Sequence, residues 1–189
     1  MFKLKIIFAV LIFIIPITVC PFENIYNNHI TLLGLTLGVD NLDNVLDKLG
    51  ISEVISVENC HHCKGVCYYH TTDADTIKIL FFKNPIADLL GFKLSYLHGE
   101  RIPNQCVLLQ NGDEKIMTKS GLYLGMPKKQ FLNICGKPDF IIDSIYVYQS
   151  KNKIKLPNMN ELFDDVITVK ATFNEGILTV LEITRTVTN

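Results

Sequence analysis

Two short stretches of the chain repeat apolar residues with the period of an α-helix. The first has four such positions on a single helical stripe, at Leu42, Val45, Leu46 and Leu49. Asp40 or Asn41 stands before the stripe, where a side-chain oxygen caps a helix, and Gly50 follows it, where a residue without Cβ ends one. The pattern therefore predicts a helix of about two turns between these residues.

The second stretch repeats this design further along the chain. Pro127 stands where a helix opens and Gly136 where it closes, and Pro138 prevents its continuation. Phe131, Leu132 and Cys135 take the places of Val45, Leu46 and Leu49. Because Cys135 lies on the apolar stripe, it is predicted to be a buried free thiol that packs as a small hydrophobe.

Alternating apolar and polar residues predict strands after each helix. The predicted strands cover residues 52–57, 66–71, 76–82, 91–97, 140–149, 166–174 and 177–186. Residues 174–176 form a plausible hairpin turn between the last two. A helix with one apolar stripe must pack on a sheet, so the pattern predicts helices on antiparallel sheets.

The N-terminus differs from the rest of the chain. Lys3 and Lys5 precede ten apolar residues, 6–15, which is typical of a secretory signal peptide and too short to span a bilayer comfortably. Residues 1–20 are thus predicted to be a signal peptide or lipoprotein leader. Pro21 disfavours ordinary cleavage after Cys20, so cleavage elsewhere, lipidation of Cys20 and a retained anchor remain alternatives.

The two predicted helices belong to a motif that occurs twice. Residues 33–38 and 120–125 share two glycines at equal spacing, and each copy continues into a helix and several strands. The predicted organisation is a first repeat over 30–98, a linker over 99–116 and a second repeat over 117–189. The predicted fold class is α+β, with two tandem helix-plus-antiparallel-sheet units that form one continuous or saddle-shaped sheet.

The second copy carries a family resemblance. Its sequence Gly121-Leu-Tyr-Leu-Gly125-Met-Pro-Lys-Lys-Gln-Phe-Leu-Asn-Ile-Cys-Gly136-Lys-Pro138 resembles the opening of bacterial envelope domains of the SmpA/OmlA (BamE) type. The tandem arrangement is similar to the β-lactamase inhibitory protein-like fold. The resemblance implies a helix-plus-sheet fold and an envelope location, and it specifies no inhibitor contacts.

The cysteines carry the concentrated chemistry of the chain. Cys60, Cys63 and Cys67 lie within eight residues, and Cys106 lies in the predicted linker. Four cysteines allow three disulfide pairings, of which Cys67–Cys106 with a local Cys60–Cys63 is favoured because it attaches the linker to the first sheet. The alternatives are a thiol-redox pair and a zinc site, whose candidate ligands are Cys60, Cys63, Cys67, His62 and His70.

Composition and charge narrow the function classes. The 189 residues are 48% hydrophobic with a net charge of −1, which excludes a disordered chain and gives no overall attraction to nucleic acid. No catalytic motif is present. The acidic cluster of Glu161, Asp164 and Asp165 is interpreted as a solvated loop or short helix, and alternating Lys151, Lys153 and Lys155 as one exposed strand face.

These observations predict an exported, non-enzymatic bacterial envelope protein that binds a protein partner, in outer-membrane organisation or as an inhibitor. The alternative is a small thiol-redox or zinc module centred on Cys60–Cys67. Tyr146 and Tyr148 share one strand face and are candidate binding residues, with burial in the core as the favoured alternative. No cofactor and no nucleic-acid partner are predicted. Attachment to a membrane is predicted only as an option, through the N-terminus. The predicted location is the periplasm or the outer membrane, with secretion as a further option.

Overall fold

A computed structural model describes residues 28–58, 60–72, 74–85, 88–109, 115–156 and 158–188. The predicted leader over residues 1–20, including the candidate lipidation site Cys20, lies outside this part of the chain. Within it, neither helix is long and apolar enough to cross a membrane.

The described residues form eleven strands and two helices longer than one turn. The strands are β1 (Thr31–Leu32), β2 (Leu35–Thr36), β3 (Val54–Ser56), β4 (Lys64–Thr71), β5 (Thr76–Lys83), β6 (Gly91–Tyr96), β7 (Cys106–Leu108), β8 (Phe140–Ile142), β9 (Ile145–Lys155), β10 (Leu162–Asn174) and β11 (Ile177–Thr188). The helices are α1 (Leu42–Leu49) and α2 (Lys128–Cys135).

One sheet contains nine of the strands. Eight of them lie side by side in the order β3-β4-β5-β6-β11-β10-β9-β8, and all of these neighbours are antiparallel. The ninth, β7, pairs in parallel with β4, on residues next to those that pair with β3. The predicted linker over residues 99–116 therefore contains a strand of the sheet. The small hairpin of β1 and β2 is separate.

The sequence-based prediction of an α+β protein built from two helix-plus-sheet units is wrong, because the molecule is mostly antiparallel sheet. Strands β9, β10 and β11 contain 11, 13 and 12 residues, whereas each helix has only eight. The continuous sheet that was also predicted is present, because β6 pairs with β11, so the error concerns the balance of helix and strand. The capped apolar stripes of the two helices are clear in the sequence, but each helix is too short to form a layer as extensive as the sheet.

Both helices begin and end where the sequence predicted. Asn41 caps α1 by accepting the backbone N–H of Asn44, whose side chain accepts from the backbone N–H of Asn41 in return. Gly50 and Gly136 follow the two helices with positive φ angles of 98° and 76°, a region that favours glycine. Each C-terminal glycine thereby allows the chain to turn directly into the sheet.

The hydrophobic core lies between the helices and one face of the sheet. Leu42, Val45 and Leu49 of α1 and Phe131 and Cys135 of α2 are buried there. The strands contribute alternate residues, among them Val66, Tyr68, Ile79, Phe81, Phe92, Leu94, Tyr148, Ile167, Val169, Leu181 and Ile183. We call this the covered face of the sheet. Cys135 is a buried free thiol, as predicted.

A buried ion pair connects this face to the β1–β2 hairpin. The Arg185 guanidinium donates to both carboxylate oxygens of Asp165, at 2.8 and 3.0 Å, and to the carbonyl oxygen of Leu37 at 3.0 Å. The acidic cluster was interpreted from the sequence as a loop or short helix, but the structure places Asp164 and Asp165 inside β10. Because Asp164 and Asp165 are both acidic, the alternation of polar and apolar residues that marks a strand is not visible at these two positions. Of the two side chains, only that of Asp165 points to the covered face.

Replacing Arg185 should destabilise the fold strongly. We expect Arg185→Met to lower the free energy of unfolding by about 3 kcal/mol, because Asp165 then stays buried without its cation. Urea denaturation of the two proteins measures this difference. The matched control is Lys170→Met, which removes the exposed ion pair with Glu182 and should cost less than about 1 kcal/mol. Equal losses in the two variants would contradict the structural role of the buried pair.

Candidate functional site

The second face of the large sheet is covered by neither helix, and we call it the open face. Directly paired residues of antiparallel strands lie on the same face, so the strand registers identify its members. Leu80 is opposite Lys93, which is opposite Glu182, which is opposite Lys170. The chain of pairs crosses four neighbouring strands, from β5 to β10, and places all these side chains on the open face.

A groove of about 960 Å³ runs along this face. Its floor consists of the outward residues of β5, β6, β10 and β11. Its rim consists of residues 53–58, which contain β3, and of residues of the segment that leads into β7. The floor residues are Lys78, Leu80, Phe82, Lys93, Ser95, Lys170, Glu182, Thr184 and Thr186. The groove is thus an open, mostly polar trough with an apolar end at Leu80 and Phe82.

Charge is distributed unevenly along this floor. Lys170 and Glu182 form an ion pair of 2.8 Å, which is partly exposed. Among the described residues, no carboxylate lies within 4.0 Å of the ammonium group of Lys78 or Lys93. The middle of the groove therefore offers two ammonium groups without a direct ion pair in the described part of the chain, and Glu53 and Glu58 on the rim and Glu182 on the floor contribute the acidic side chains of the groove.

A second group of lysines lies near the far edge of the open face. Lys151 and Lys153 of β9 both contact the Asp164 carboxylate, at 2.7 and 2.6 Å. Hydrogen bonds from these two lysines hold the pKa of Asp164 below its ordinary value. Two cations share one anion here, so this end of the open face is also positively charged.

Two disulfides lie at the opposite end of the groove. Cys67 and Cys106 are directly paired residues of β4 and β7 and form one bond, and Cys60 and Cys63 form the other. This is the pairing that the sequence favoured. Cys67 is opposite Leu80 in the register, so the first disulfide belongs to the open face.

The loop that carries the second disulfide packs onto the same face. Cys63 is buried in a small apolar cluster with Phe82 and Leu90. Gly65 permits this close approach, because a Cβ there would lie 2.9 Å from Cγ2 of Val57. The loop over residues 57–63 therefore closes one end of the groove.

The structure places neither candidate binding tyrosine on the open face. Tyr148 is buried on the covered face, and its ring centroid lies 5.7 Å from that of Phe131. Tyr146 is half-buried beside it, against Phe173, and its hydroxyl accepts a hydrogen bond from the Lys128 ammonium group, which also lies 4.4 Å from its ring centroid. In the structure, Tyr148 belongs to the core and Tyr146 packs against it, which is the alternative interpretation of these two residues.

The cysteine and histidine candidates for a zinc site do not converge. Cys60, Cys63 and Cys67 are all in disulfides, which removes the thiolates that zinc requires. His70 lies on β4 three residues after Cys67 and therefore on the covered face. No group of three or more metal-ligating side chains occurs among the residues that the structure describes.

A polar cluster that the sequence did not reveal lies in the core. The His29 ring accepts or donates a hydrogen bond with the Ser120 hydroxyl through Nδ1, and its Nε2 lies 4.0 Å from the Cys135 sulfur. Thr118 contacts the same hydroxyl at 2.7 Å. These residues come from distant parts of the chain, and no short motif connects them.

The imidazole and the thiol of this cluster are both uncharged at neutral pH. Burial lowers the pKa of His29 to about 4 and raises the pKa of the Cys135 thiol to about 12. At neutral pH the thiol therefore stays protonated and the imidazole uncharged. A nucleophilic cysteine needs the opposite arrangement, so the cluster has a packing role.

The cluster predicts a specific loss of stability in acid. Because the pKa of His29 is about 4 in the folded chain and about 6.5 when the ring is in water, stability is complete above pH 6.5. It should fall by about 3 kcal/mol as the pH decreases from 6.5 to 4, since unfolding then takes up a proton.

The matched variant is His29→Asn, whose amide nitrogen takes the place of Nδ1. Free energies of unfolding should be measured for both proteins between pH 4 and pH 7. We expect the difference between them to change by about 3 kcal/mol over this range. Parallel pH profiles would show that another group carries the acid sensitivity.

Comparison with known proteins returns little. No protein-family model and no curated protein matches the sequence, and neither comparison supports a domain of the SmpA/OmlA type. Among solved structures, the chain is similar to the crystal structure of a candidate β-lactamase inhibitor protein from Streptococcus mutans. The two are 15% identical, with a TM-score of 0.23, over 89% of this chain and 96% of that chain.

Proposed function

We propose that the chain is an exported, non-enzymatic protein that binds a protein partner on the open face of its sheet. The observation that carries this proposal is the asymmetry of the large sheet. One face is buried under both helices, whereas the other presents a groove lined by charged and hydroxyl side chains. A sheet face without a covering layer and with unneutralised charge is suited to contact another molecule.

The dimensions of the open face fit a protein rather than a small molecule. The eight antiparallel strands range from three residues in β3 to 13 in β10. At about 3.3 Å along a strand and about 4.8 Å between strands for each residue, one face of this sheet covers roughly 1,000 Å², which is enough for the area of about 800 Å² that each partner contributes to a standard interface. Small-molecule sites, in contrast, are enclosed and mostly apolar.

Charge indicates which chemistry the partner presents. On the floor of the groove, Lys170 is paired with Glu182, whereas Lys78 and Lys93 have no carboxylate within 4.0 Å among the described residues. The carboxylates of Glu53 and Glu58 lie on the rim, so the positive charge is concentrated on the floor. A partner surface with Asp or Glu side chains would neutralise these ammonium groups. Leu80 and Phe82 would receive an apolar side chain of the partner at the end of the groove.

The face is also rigid, which favours binding. The Cys67–Cys106 bond attaches β7 to β4 at one end, and the Arg185–Asp165 pair ties β10 and β11 to the hairpin beneath. Groups that are already ordered lose little entropy when a partner docks. Disulfides persist in oxidising compartments, which supports export. An inhibitor is one form of such a protein, in which the partner is an enzyme whose active site the face occludes.

Charge reversal in the groove tests the proposal. We expect the double variant Lys93→Glu and Lys170→Glu to bind partners from an envelope extract at least tenfold more weakly, because it repels carboxylates and breaks the ion pair with Glu182. Immobilised protein and quantitative mass spectrometry measure the capture. Inhibition of any captured enzyme by the wild-type chain distinguishes an inhibitor from a scaffold.

The matched control is Lys129→Glu, on the exposed side of α2 and away from the open face. This variant should capture every partner as the wild type does. If partners are lost with Lys129→Glu and kept with the groove variant, the binding surface lies on the helical side and the proposal fails.

A further inference from the structure

A second, smaller pocket lies beside the groove, at the beginning of β4 and the end of β5. It has a volume of about 490 Å³. Its lining includes Lys64 and Lys83 together with Cys60, His62 and Cys63. By register, Lys64 and Lys83 belong to the covered side of the sheet and the Cys60–Cys63 loop packs on the open side, and both line this pocket at the end of the two strands.

The positions of the two lysines are electrostatically unfavourable as long as the pocket holds no anion. Lys64 and Lys83 are directly opposite each other in the register of β4 and β5, and like charges in this position repel. The Lys64 ammonium group contacts only the Ser56 hydroxyl, at 3.2 Å. No carboxylate of the described chain lies within 4.0 Å of either lysine. An anion in the pocket would relieve this repulsion.

The disulfide in the same pocket is unequally accessible. Cys63 is 2% exposed and packs against Phe82 and Leu90, whereas Cys60 is half-buried at the surface of the loop. Cys60 is therefore the residue of the pair that an incoming thiolate can approach from solvent. Only three positions separate the two residues, so the opened pair stays together and can close again.

We propose that Cys60–Cys63 is a thiol–disulfide exchange site for thiols that carry a carboxylate. The thiolate of the first substrate attacks Sγ of Cys60, the Cys60–Cys63 bond breaks, and Cys63 leaves as a thiolate that takes up a proton. A second substrate thiolate then attacks the substrate sulfur of the mixed disulfide. The products are the oxidised substrate dimer and a dithiol at Cys60 and Cys63. The protein pair gains two electrons, and the two substrate thiols lose them.

The other disulfide provides an internal comparison. Cys67 and Cys106 are both buried and lie on paired strands of the sheet, and neither touches the small pocket. Exchange depends on access to a sulfur. This bond should therefore stay closed under conditions that open Cys60–Cys63. The proposed activity is separate from partner binding in the groove and does not rest on it.

The test uses the folded, oxidised chain with three thiol probes: glutathione, which is anionic, 2-mercaptoethanol, which is neutral, and cysteamine, which is cationic. Alkylation and peptide mass mapping measure how fast each disulfide opens. We expect Cys60–Cys63 to open at least tenfold faster than Cys67–Cys106 with glutathione. In Cys63→Ser, oxidised glutathione should form a mixed disulfide at Cys60. Equal opening of both bonds, or no reaction at Cys60, would overturn the proposal.

The charge requirement is tested with Lys64→Gln and Lys83→Gln combined. The ratio of variant to wild-type rate is taken for each thiol, which cancels the intrinsic reactivity of the probe. We expect this ratio to fall about three- to tenfold for glutathione, to stay near one for 2-mercaptoethanol and to rise for cysteamine. Lys129→Gln, on α2, is the matched control and should change none of the ratios.

Identical ratios for all three thiols would show that the lysines do not select an anion. A peptide with one cysteine between aspartates identifies the source of the thiol. Faster reaction of this peptide than of glutathione assigns the site to protein thiols, and the reverse assigns it to small ones. If neither of them loses rate when Lys64 and Lys83 are replaced, the proposed selectivity is wrong.

Discussion

The pairing of β6 with β11 holds the large sheet together. Residues Gly91–Tyr96 form a strand in the first half of the chain, and residues from Val180 to Thr184 pair with them from near its end. Without this contact the strands would form two narrow sheets, each with its own edges and a small core. With it, the side chains on one face form a single buried cluster under both helices. The same pairing also makes the opposite face of the sheet, the open face, continuous.

Local features of the chain were predictable because short-range physics determines them. The cap at Asn41 and the turn at Gly50 depend on neighbours a few residues away, and both are where the sequence placed them. The cysteine pairing was favoured on another ground, namely that a bond from Cys67 to Cys106 attaches the linker to the first sheet. The pairing of Leu94 with Leu181 could not be predicted in this way, because many apolar residues with a period of two could have filled that position.

The choice between the two faces was also beyond sequence analysis. Tyr146 and Tyr148 alternate with Ile145 and Val147, and both pairs are apolar enough to be buried. The period of two shows that the tyrosines share a face, but it does not show which face the helices cover. The contacts of His29 with Ser120 and Cys135 likewise depend on the assembled core. Chemistry built from distant residues leaves no motif.

The position of β7 has a consequence for where the chain can complete its fold. This strand has three residues, of which Val107 and Leu108 keep exposed side chains, so packing alone holds it weakly. Its firm attachment to β4 is the covalent bond from Cys106 to Cys67. A reducing cytosol keeps these thiols apart, whereas an oxidising compartment joins them. The ninth strand is therefore firmly part of the sheet only where this disulfide can form, so the redox state of the surroundings decides whether the sheet is complete.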